Sequence, residues 1–332
     1  MQSSAINNID LESNTLCWTR KRWGGGFRYF NDIGEPVRDK KSLRRIRKLA
    51  IPPMWREVEI CATGRSKIQA TGRDLKHRKQ YIYHPEWASR RQQQKFRKLR
   101  RFGERLPSIR RHALAQLDLP GWPQEKVLAL MILVLDNTGI RIGNRQYLSA
   151  NETYGLSTLR RRHLDREDEE LVFHYKGKSN KNREVRIEDD TLVRLIRRAA
   201  EQPGYEIFRY ETRGGWESVD SDDINGYIHK HLGEEYSSKY FRTWVANRLL
   251  VENHADAVRL KHENPRKSKE KLLVRLVADE LGNTPTVCKN YYLHPGVLRR
   301  AVRADHLDFK EEEGLSPDLS SGERLLLGMM KA

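Results

Sequence analysis

The sequence predicts an α+β protein with a small β-rich N-terminal domain and a larger, mainly α-helical domain that contains a β-hairpin. Three observations support this fold class: short alternating apolar runs before residue 90, a strongly basic stretch at residues 90–111, and helical periodicity beyond it. A chain of 332 residues also exceeds the usual size of one domain. We therefore expect domains at residues 1–90 and 91–332.

The first domain is predicted to be a sheet with one short helix. Apolar and aromatic runs at residues 27–30, 58–61 and 80–83 are separated by Gly, Asp and Pro, a pattern typical of strands. Apolar residues recur at every third position of residues 43–49 among mostly cationic neighbours, which predicts a short basic helix. Three glycines at residues 24–26 lack the lysine of a phosphate-binding loop and indicate a turn.

The charge of the chain indicates a nucleic-acid partner. Lys and Arg number 63 against 45 Asp and Glu, the net charge is +18, and the pI is about 9.8. Residues 90–111 carry ten of these cations and a single acid, Glu104. Positive charges packed this densely repel one another unless a polyanion neutralises them. We therefore interpret the stretch as a DNA-backbone contact and a linker that wraps a duplex, in preference to a solvated charged face.

The second domain begins with a predicted core helix and continues into a hairpin. Residues 127–134 place apolar side chains at i, i+3, i+4 and i+7, the spacing of one buried helix face. Apolar runs at residues 171–175 and 185–187 then flank a polar turn at residues 177–182. This pattern predicts a β-hairpin with Lys178 near its tip.

Several classes of protein are disfavoured by what the sequence lacks. Cys17, Cys61 and Cys288 form neither a CxxC pair nor a zinc-spaced cluster, so we expect no disulfide framework and no structural zinc. No secretion signal or membrane-spanning apolar run is recognisable, and we expect a cytoplasmic, nucleoid-associated protein. The absence of a Walker-type loop or an acidic metal cluster predicts that no ATP, metal or other cofactor is required.

Five short motifs carry the chemistry that composition cannot identify. A tyrosine hydroxyl can attack a phosphodiester, and nearby arginines and a lysine can stabilise the charge that builds on the oxygens. Together the motifs predict cutting and rejoining of DNA. They are Ile140-Arg141-Ile142-Gly143-Asn144, Gly177-Lys178, Phe241-Arg242-Thr243, Leu281-Gly282-Asn283-Thr284-Pro285 and Tyr291-Tyr292-Leu293-His294-Pro295.

In this order the motifs resemble those of type IB DNA topoisomerases, in particular the small bacterial and poxvirus-like branch. Segments at residues 18–30, 51–55, 69–74 and 78–81 extend the resemblance over most of the chain. The resemblance implies a catalytic domain of the tyrosine-recombinase type. It also implies a monomer whose two domains close as a clamp around double-stranded DNA, without ATP or metal.

The resemblance assigns the nucleophile and two phosphate-binding arginines. Tyr292, nine residues after Asn283, matches the nucleophile, and Tyr291 is its competitor, since only one of two adjacent side chains can face the phosphate. Arg141 and Arg242 match the family's two catalytic arginines. A guanidinium suits that role because its planar fork holds two phosphate oxygens and stays charged.

The resemblance also assigns an acid and a hydrogen-bond donor. Lys178 matches the hairpin lysine that donates a proton to the departing 5′ oxygen, with Lys176 and Lys181 as alternatives. Asn283 stands where poxvirus-type enzymes have histidine and bacterial members have asparagine. An amide donates the same hydrogen bond to a phosphate oxygen without titrating near neutrality. Helix capping by Asn283 or Thr284 is the alternative role at this point.

Further DNA contacts are expected in the N-terminal domain and around the arginine motifs. Gln80 could read an adenine edge and Tyr81 or Tyr83 could bond phosphates. Simple strand alternation would instead bury at least one of these tyrosines. The complete set that we expect to bind DNA is Arg78, Gln80, Tyr81, Tyr83, Asn144, Tyr147 and Lys239.

The implied reaction relaxes supercoiled duplex DNA by reversible transesterification. Tyr292 forms a 3′-phosphotyrosyl bond, the cut strand rotates, and the freed 5′ hydroxyl attacks back. A site-specific tyrosine recombinase or integrase is the first alternative. Recombinases favour a His-x-x-Arg box, however, and Lys239 stands three residues before Arg242. A non-catalytic DNA-binding clamp is the second alternative, which the intact set of reactive residues disfavours.

Overall fold

The fold is known from a computed structural model that describes residues 16–144, 148, 152–167, 170–307 and 314–331. It divides into two compact units, Met1–Lys95 and Phe96–Ala332. The first is built on a β-sheet and the second is mainly helical. The predicted α+β class is confirmed.

The first unit is an antiparallel sheet of five strands in the order β2-β1-β3-β4-β5. Helix α1 (Lys40–Lys48) begins after Asp39, whose carboxylate accepts hydrogen bonds from the backbone amides of Lys41 and Ser42. Its Ile46 packs with Val58, Ile60 and Ala70 of the sheet. The predicted basic helix is confirmed. The strands are β1 (Leu16–Trp23), β2 (Gly26–Phe30), β3 (Arg56–Cys61), β4 (Ile68–Arg73) and β5 (Lys79–Tyr83).

The basic stretch is a continuous helix, α2 (Pro85–Gln116), where we expected a linker. Its apolar residues recur at helical spacing, so Phe96 and Phe102 are buried while most of the cations are not. At Gly103 the helix backbone lies against Trp244, since a Cβ there would stand 2.1 Å from the indole ring. This packing fixes the distal half of α2 to the second unit.

The second unit surrounds α3 (Gln124–Thr138), which is buried along most of its length as its apolar spacing predicts. A three-stranded antiparallel sheet, β6 (Leu164–Glu167), β7 (Glu170–Gly177) and β8 (Lys181–Ile187), and the hairpin β9 (Arg209–Thr212) and β10 (Gly215–Ser218) accompany the helices. The remaining helices are α4 (Asp190–Ala200), α5 (Ser221–Leu232), α6 (Ser238–Glu252), α7 (His254–Glu263), α8 (Lys269–Leu281), α9 (Pro285–Tyr291), α10 (Pro295–Arg303) and α11 (Ser321–Met330).

The predicted hairpin is present, with longer strands and a tighter turn than the apolar runs indicated. Strands β7 and β8 pair as far as Gly177 and Lys181, so the turn is only Lys178–Asn180. Ser179 and Asn180 adopt left-handed conformations with φ of 65° and 57°. Polar residues extend the ladder because backbone pairing does not require apolar side chains.

The C-terminal helix α11 is held by a buried ion cluster. Arg110 of α2 contacts Asp136 of α3 and Glu323 of α11, each at 2.6 Å, and the Trp244 indole donates to Glu323 at 2.9 Å. Burial alone would raise the pKa of Glu323, but hydrogen bonds from Arg110 and Trp244 hold it at about 2. The cluster therefore ties α11 to the helix that carries Arg242. Within the described ranges, no helix has the length and apolar character needed to cross a membrane.

Candidate active site

Arg242 is fixed at the centre of the second unit, in the first turns of α6. Its side chain is 5% exposed, and its guanidinium donates hydrogen bonds to the carbonyls of Gly139, at 2.6 Å, and Leu281. These carbonyls lie at the C-terminal ends of α3 and α8, where a cation is electrostatically favoured. Burial, and then the nearby charge of Arg141, lowers the pKa of Arg242 to about 10, so the group stays charged at neutral pH.

Asn283 joins the two arginines. Its Oδ1 accepts a hydrogen bond from Arg141 Nη2 at 2.7 Å and one from Arg242 Nη2 at 3.1 Å. Since guanidinium groups only donate, the amide oxygen must face them and Nδ2 must face away. That Nδ2 is buried and has no hydrogen-bond partner within the described part of the chain. A buried donor of this kind, beside two cations, is suited to an anionic oxygen.

The helix that follows Asn283 is capped by the next residue, Thr284, and not by Asn283 itself. Gly282 ends α8 in a left-handed conformation with φ of 58°. Thr284 then caps α9 by accepting from the amide of Val287, and Pro285 takes the first helical position. Capping therefore belongs to Thr284, which leaves the Asn283 side chain with the arginines.

Tyr292 follows the last turn of α9 and lies beside Arg242. The guanidinium carbon is 5.4 Å from the ring centroid, within the range of a cation–π contact. The backbone is tied to α6 by Asn247, which donates to the Tyr292 carbonyl at 2.9 Å and accepts from the amide of His294 at 2.7 Å. Tyr291, by contrast, is 62% exposed. Tyr292 is therefore the tyrosine that lies beside Arg242, while most of the Tyr291 side chain faces solvent.

Lys178 lies at the turn of the β7–β8 hairpin. The side chain is exposed at the start of the turn, and Lys176 and Lys181 are exposed as well, so burial does not distinguish the three lysines. Arg183, which pairs with Tyr175 across the hairpin, does reach the turn of Asn283, where its guanidinium lies against Gly282. Burial raises the pKa of Tyr175, while the positive charge of Arg183, and the charges of Arg242 and Arg141 beyond it, act in the opposite direction.

Sequence reasoning overlooked three residues of this region: Asn247, Tyr175 and Arg183. Asn247 stands five residues after Arg242 on the same helix, about 140° around it, so helical periodicity does not group the two. The roles of Tyr175 and Arg183 depend on contacts with segments far along the chain. No group of three or more His, Cys, Asp or Glu in the described ranges is arranged to hold a metal ion.

The predicted DNA-binding residues of the first unit lie on two faces of β5. Gln80 is half-buried and donates to Asp74 at 3.0 Å, and Arg78 contacts the same carboxylate at 2.6 Å. Tyr81 and Tyr83 are both exposed on the other face, so the alternation argument that buries one of them is wrong. Alternation puts residues 81 and 83 on the same side of the strand, and here that side faces solvent.

The exposed tyrosines belong to a short aromatic row. The Tyr81 and Tyr83 rings are stacked with centroids 6.0 Å apart, and Trp87 stacks on Tyr83 at 4.5 Å. In the second unit, Asn144 is half-buried and Lys239 is exposed on α6. The predicted contact Tyr147 lies outside the described residues.

Comparison with known proteins shows that this chain is similar to DNA topoisomerases. The family described as "Eukaryotic DNA topoisomerase I, catalytic core" matches residues 78–310, and "Bacterial DNA topoisomerase IB, N-terminal domain" matches residues 26–74. The chain is 29% identical to "DNA topoisomerase 1B" of Acanthamoeba polyphaga mimivirus, over 80% of this chain and 81% of that protein. It is 24% identical to "DNA topoisomerase I" of Monkeypox virus, over 73% and 75% of the two chains.

Solved structures give a more distant similarity. A pre-cleavage complex of the XerH site-specific recombinase with its difH substrate superposes with a TM-score of 0.34 at 15% identity. The superposition covers 58% of this chain and 51% of that chain. At this level it adds nothing to the family assignment.

Proposed function

Because this chain belongs to the family of type IB DNA topoisomerases, we propose that Tyr292 is the nucleophile with which it cuts and rejoins one strand of duplex DNA. The enzyme relaxes supercoiled DNA through a 3′-phosphotyrosyl intermediate. The observation that carries the proposal is the convergence of Arg141 and Arg242 on one oxygen of Asn283, directly beside Tyr292.

The reaction is an exchange of two P–O bonds. The Tyr292 Oη–P bond forms as the bond from phosphorus to the 5′ oxygen breaks, and the phenolic proton passes to solvent. We assign to Lys178 the proton that the departing 5′ oxygen takes up, because an unprotonated alkoxide is a poor leaving group at neutral pH. The cut strand rotates, and the reverse exchange reseals it. The energy of the broken bond is kept in the phosphotyrosine, so the cycle requires no ATP.

The negative charge that develops on the phosphate oxygens is stabilised by Arg141, Arg242 and Asn283. Arg242 is immobilised by two backbone carbonyls, and Arg141 is held by Asn283, so neither has to reorganise as charge develops. The buried Nδ2 of Asn283, which has no hydrogen-bond partner among the residues that the structure describes, supplies a further donor for a non-bridging oxygen. An asparagine here keeps this hydrogen bond independent of pH near neutrality.

Duplex DNA is the partner, and we propose additional contacts to it from both units. In the first unit these come from Arg78, Gln80, Tyr81 and Tyr83, and in the second from Asn144, Tyr147 and Lys239. Gln80 and Arg78 share Asp74, so base readout by Gln80 requires that bond to open. The exposed Tyr81 and Tyr83 are available for phosphate or sugar contacts without rearrangement.

At the level of the whole chain we propose an N-terminal DNA-binding domain at residues 1–90 and a catalytic domain at residues 91–332 that close around the duplex as a clamp. The net charge of +18 supports this mode of binding. We further propose that the enzyme acts as a monomer on nucleoid DNA in the cytoplasm. The match of residues 26–74 to a bacterial N-terminal domain supports membership of the bacterial branch.

A plasmid-relaxation assay tests the proposal. The purified chain is incubated with negatively or positively supercoiled plasmid in EDTA without ATP, alongside Tyr292→Phe and, as a matched control, Tyr291→Phe. We expect relaxation of both substrates by the parent and by Tyr291→Phe, and none by Tyr292→Phe. Relaxation by Tyr292→Phe would refute the assignment. A recombinase would instead join two specific sites with little relaxation.

A further inference from the structure

Arg183 lies between two glycines that each precede a residue of the proposed active site. It stands on β8 directly opposite Tyr175 of β7. From there its side chain runs across Gly177 and ends over Gly282. Gly177 precedes Lys178 and Gly282 precedes Asn283, so one arginine touches the backbone beside both.

The first contact explains the glycine before Lys178. A Cβ added to Gly177 would stand 2.7 Å from Arg183 Cγ and 3.5 Å from its Cδ. Gly177 has φ of −92°, which any residue adopts, so backbone conformation does not require glycine there. The requirement is the space that the arginine stem occupies.

The second contact is closer still. A Cβ on Gly282 would stand 1.5 Å from Arg183 Nη1 and 2.0 Å from Cζ, so the guanidinium rests directly over the Gly282 backbone. Arg183 Nη2 also donates to the carbonyl of Glu280 at 3.0 Å, in the last turn of α8. A cation at this position is favoured by the partial negative charge of the helix C-terminus.

Tyr175 holds the arginine in this path. The Tyr175 side chain is 8% exposed and packs beside the arginine stem, since a Cβ on Gly177 would stand 3.6 Å from the Tyr175 ring as well as 2.7 Å from Arg183 Cγ. The arginine is therefore anchored on the hairpin by Tyr175, on α8 by a carbonyl, and against a glycine at each end. Such anchoring limits the rotamers that a free surface arginine would sample.

We propose that Arg183 is a positioning residue that fixes the Lys178 hairpin to the Asn283 turn. It thereby keeps the proton donor in register with the groups that bind the phosphate. The inference rests on the proposed function, in which Lys178 protonates the leaving oxygen. Lys178 itself is exposed on a turn of three residues, and a displacement of about 1 Å in such a group costs on the order of 100-fold in rate.

The test uses a leaving group that needs no proton. The cleavage site is first mapped with the parent enzyme on a plasmid-derived duplex. Two duplexes are then made with that site, one with the ordinary 5′ bridging oxygen and one with sulfur in its place. A thiolate is stable near neutral pH, so sulfur departs without a general acid. Single-turnover formation of the covalent complex is measured for Arg183→Ala, Lys178→Ala and Arg186→Ala, the last being an exposed arginine of the same strand.

We expect Arg183→Ala to cleave the oxygen duplex about 10- to 100-fold more slowly than the parent and the sulfur duplex within about threefold of it. Arg186→Ala should match the parent on both. Equal slowing of Arg183→Ala on the two duplexes, or no slowing on either, would overturn the positioning role. If the variant fails to fold, Arg183→Lys, which keeps the charge but loses the planar fork over Gly282, must show the same pattern.

The same measurements distinguish an error in the role of Lys178 from an error in the role of Arg183. If Lys178→Ala is slow on oxygen and not restored by sulfur, the assignment of Lys178 as the acid is wrong. If sulfur restores Lys178→Ala but not Arg183→Ala, the acid is correctly assigned and Arg183 does not position it.

Discussion

The guanidinium carbon of Arg242 lies 5.4 Å from the centroid of the Tyr292 ring. Arg242 is held there by the carbonyls of Gly139 and Leu281, and the backbone of Tyr292 is held by Asn247, which belongs to the same helix. The cation and the nucleophile therefore share one rigid support. Preorganisation of this kind means that little rearrangement accompanies the development of charge.

The side-chain nitrogen of Asn283 should accelerate cleavage by donating a hydrogen bond to the phosphate. Asn283→Asp keeps an acceptor for both arginines but replaces the buried donor with a charged oxygen. We expect covalent-complex formation to slow by about 100- to 1,000-fold, the usual cost of losing one such donor. Asn290→Asp, an exposed change in the same helical region, is the matched control. A rate for Asn283→Asp within threefold of the control would remove the donor from the mechanism.

Arg242 should not be replaceable by lysine. A single ammonium cannot bond both the Gly139 and Leu281 carbonyls and still present a planar fork to the phosphate. We expect Arg242→Lys to lower single-turnover cleavage by about 100-fold or more. Arg248→Lys is the control, because Arg248 also lies on α6 and donates to a backbone carbonyl, that of Asn137. Near-parental cleavage by Arg242→Lys would show that only its charge matters.

The stability of the site should depend on pH through His294. This residue caps α10 with a neutral Nδ1 that accepts from the amides of Gly296 and Val297. Burial, helped by Arg300, lowers the pKa of His294 from 6.5 to about 4. The unfolded chain takes up this proton at higher pH than the folded chain does. The contribution to stability is thus complete above 6.5 and is lost as the pH falls through about 4.

Urea unfolding at pH 7 and pH 4.5 can isolate this effect by comparison with His294→Asn, a cap that does not titrate. We expect the parent to lose stability relative to His294→Asn at the lower pH. His262→Asn, at an exposed position on α7, should leave the pH dependence unchanged. Parallel pH profiles for the parent and His294→Asn would contradict the expectation.

The buried ion cluster of α11 should be a major source of stability. Glu323→Ala removes one of the two carboxylates that Arg110 contacts and the acceptor of the Trp244 indole, and removal of one member of a buried ion cluster costs about 3–5 kcal/mol. The exposed pair of Glu270 and Lys289 provides the contrast, since Glu270→Ala should cost about 0–1 kcal/mol. Denaturant midpoints measure both. Equal costs for the two substitutions would show that burial of the cluster contributes nothing.

Local patterns in the sequence predicted the α+β class, the basic helix, the core helix and the hairpin, because each depends on spacing within a short window. The active-site candidates came from five short motifs that resemble those of type IB topoisomerases, and two of their reactive residues, Lys178 and Asn283, directly follow a glycine. In the structure Ser320 and Glu323 form a capping box at the start of α11, which is a local interaction. The ion partner of Glu323 is Arg110, 213 residues away, and no local pattern indicates it.

Arg183 shows why the rest could not be predicted. It is one of 63 basic residues, and neither its neighbours nor its spacing separates it from the others. Its contacts with Gly177 and Glu280 exist only once the hairpin meets the end of α8. The two motif glycines did carry a signal, because a glycine beside a reactive residue indicates a close approach by another group. The identity of that group requires the fold.

If Tyr292 forms the bond to DNA, the covalent adduct must lie on its side chain, and mapping that adduct determines its position. The enzyme is denatured during cleavage of duplex DNA, the complex is digested with nuclease and protease, and the modified peptide is sequenced by mass spectrometry. We predict a nucleotide joined through its 3′ phosphate to Tyr292. An adduct on Tyr291, a linkage through a 5′ phosphate, or relaxation with no tyrosine adduct would contradict the account.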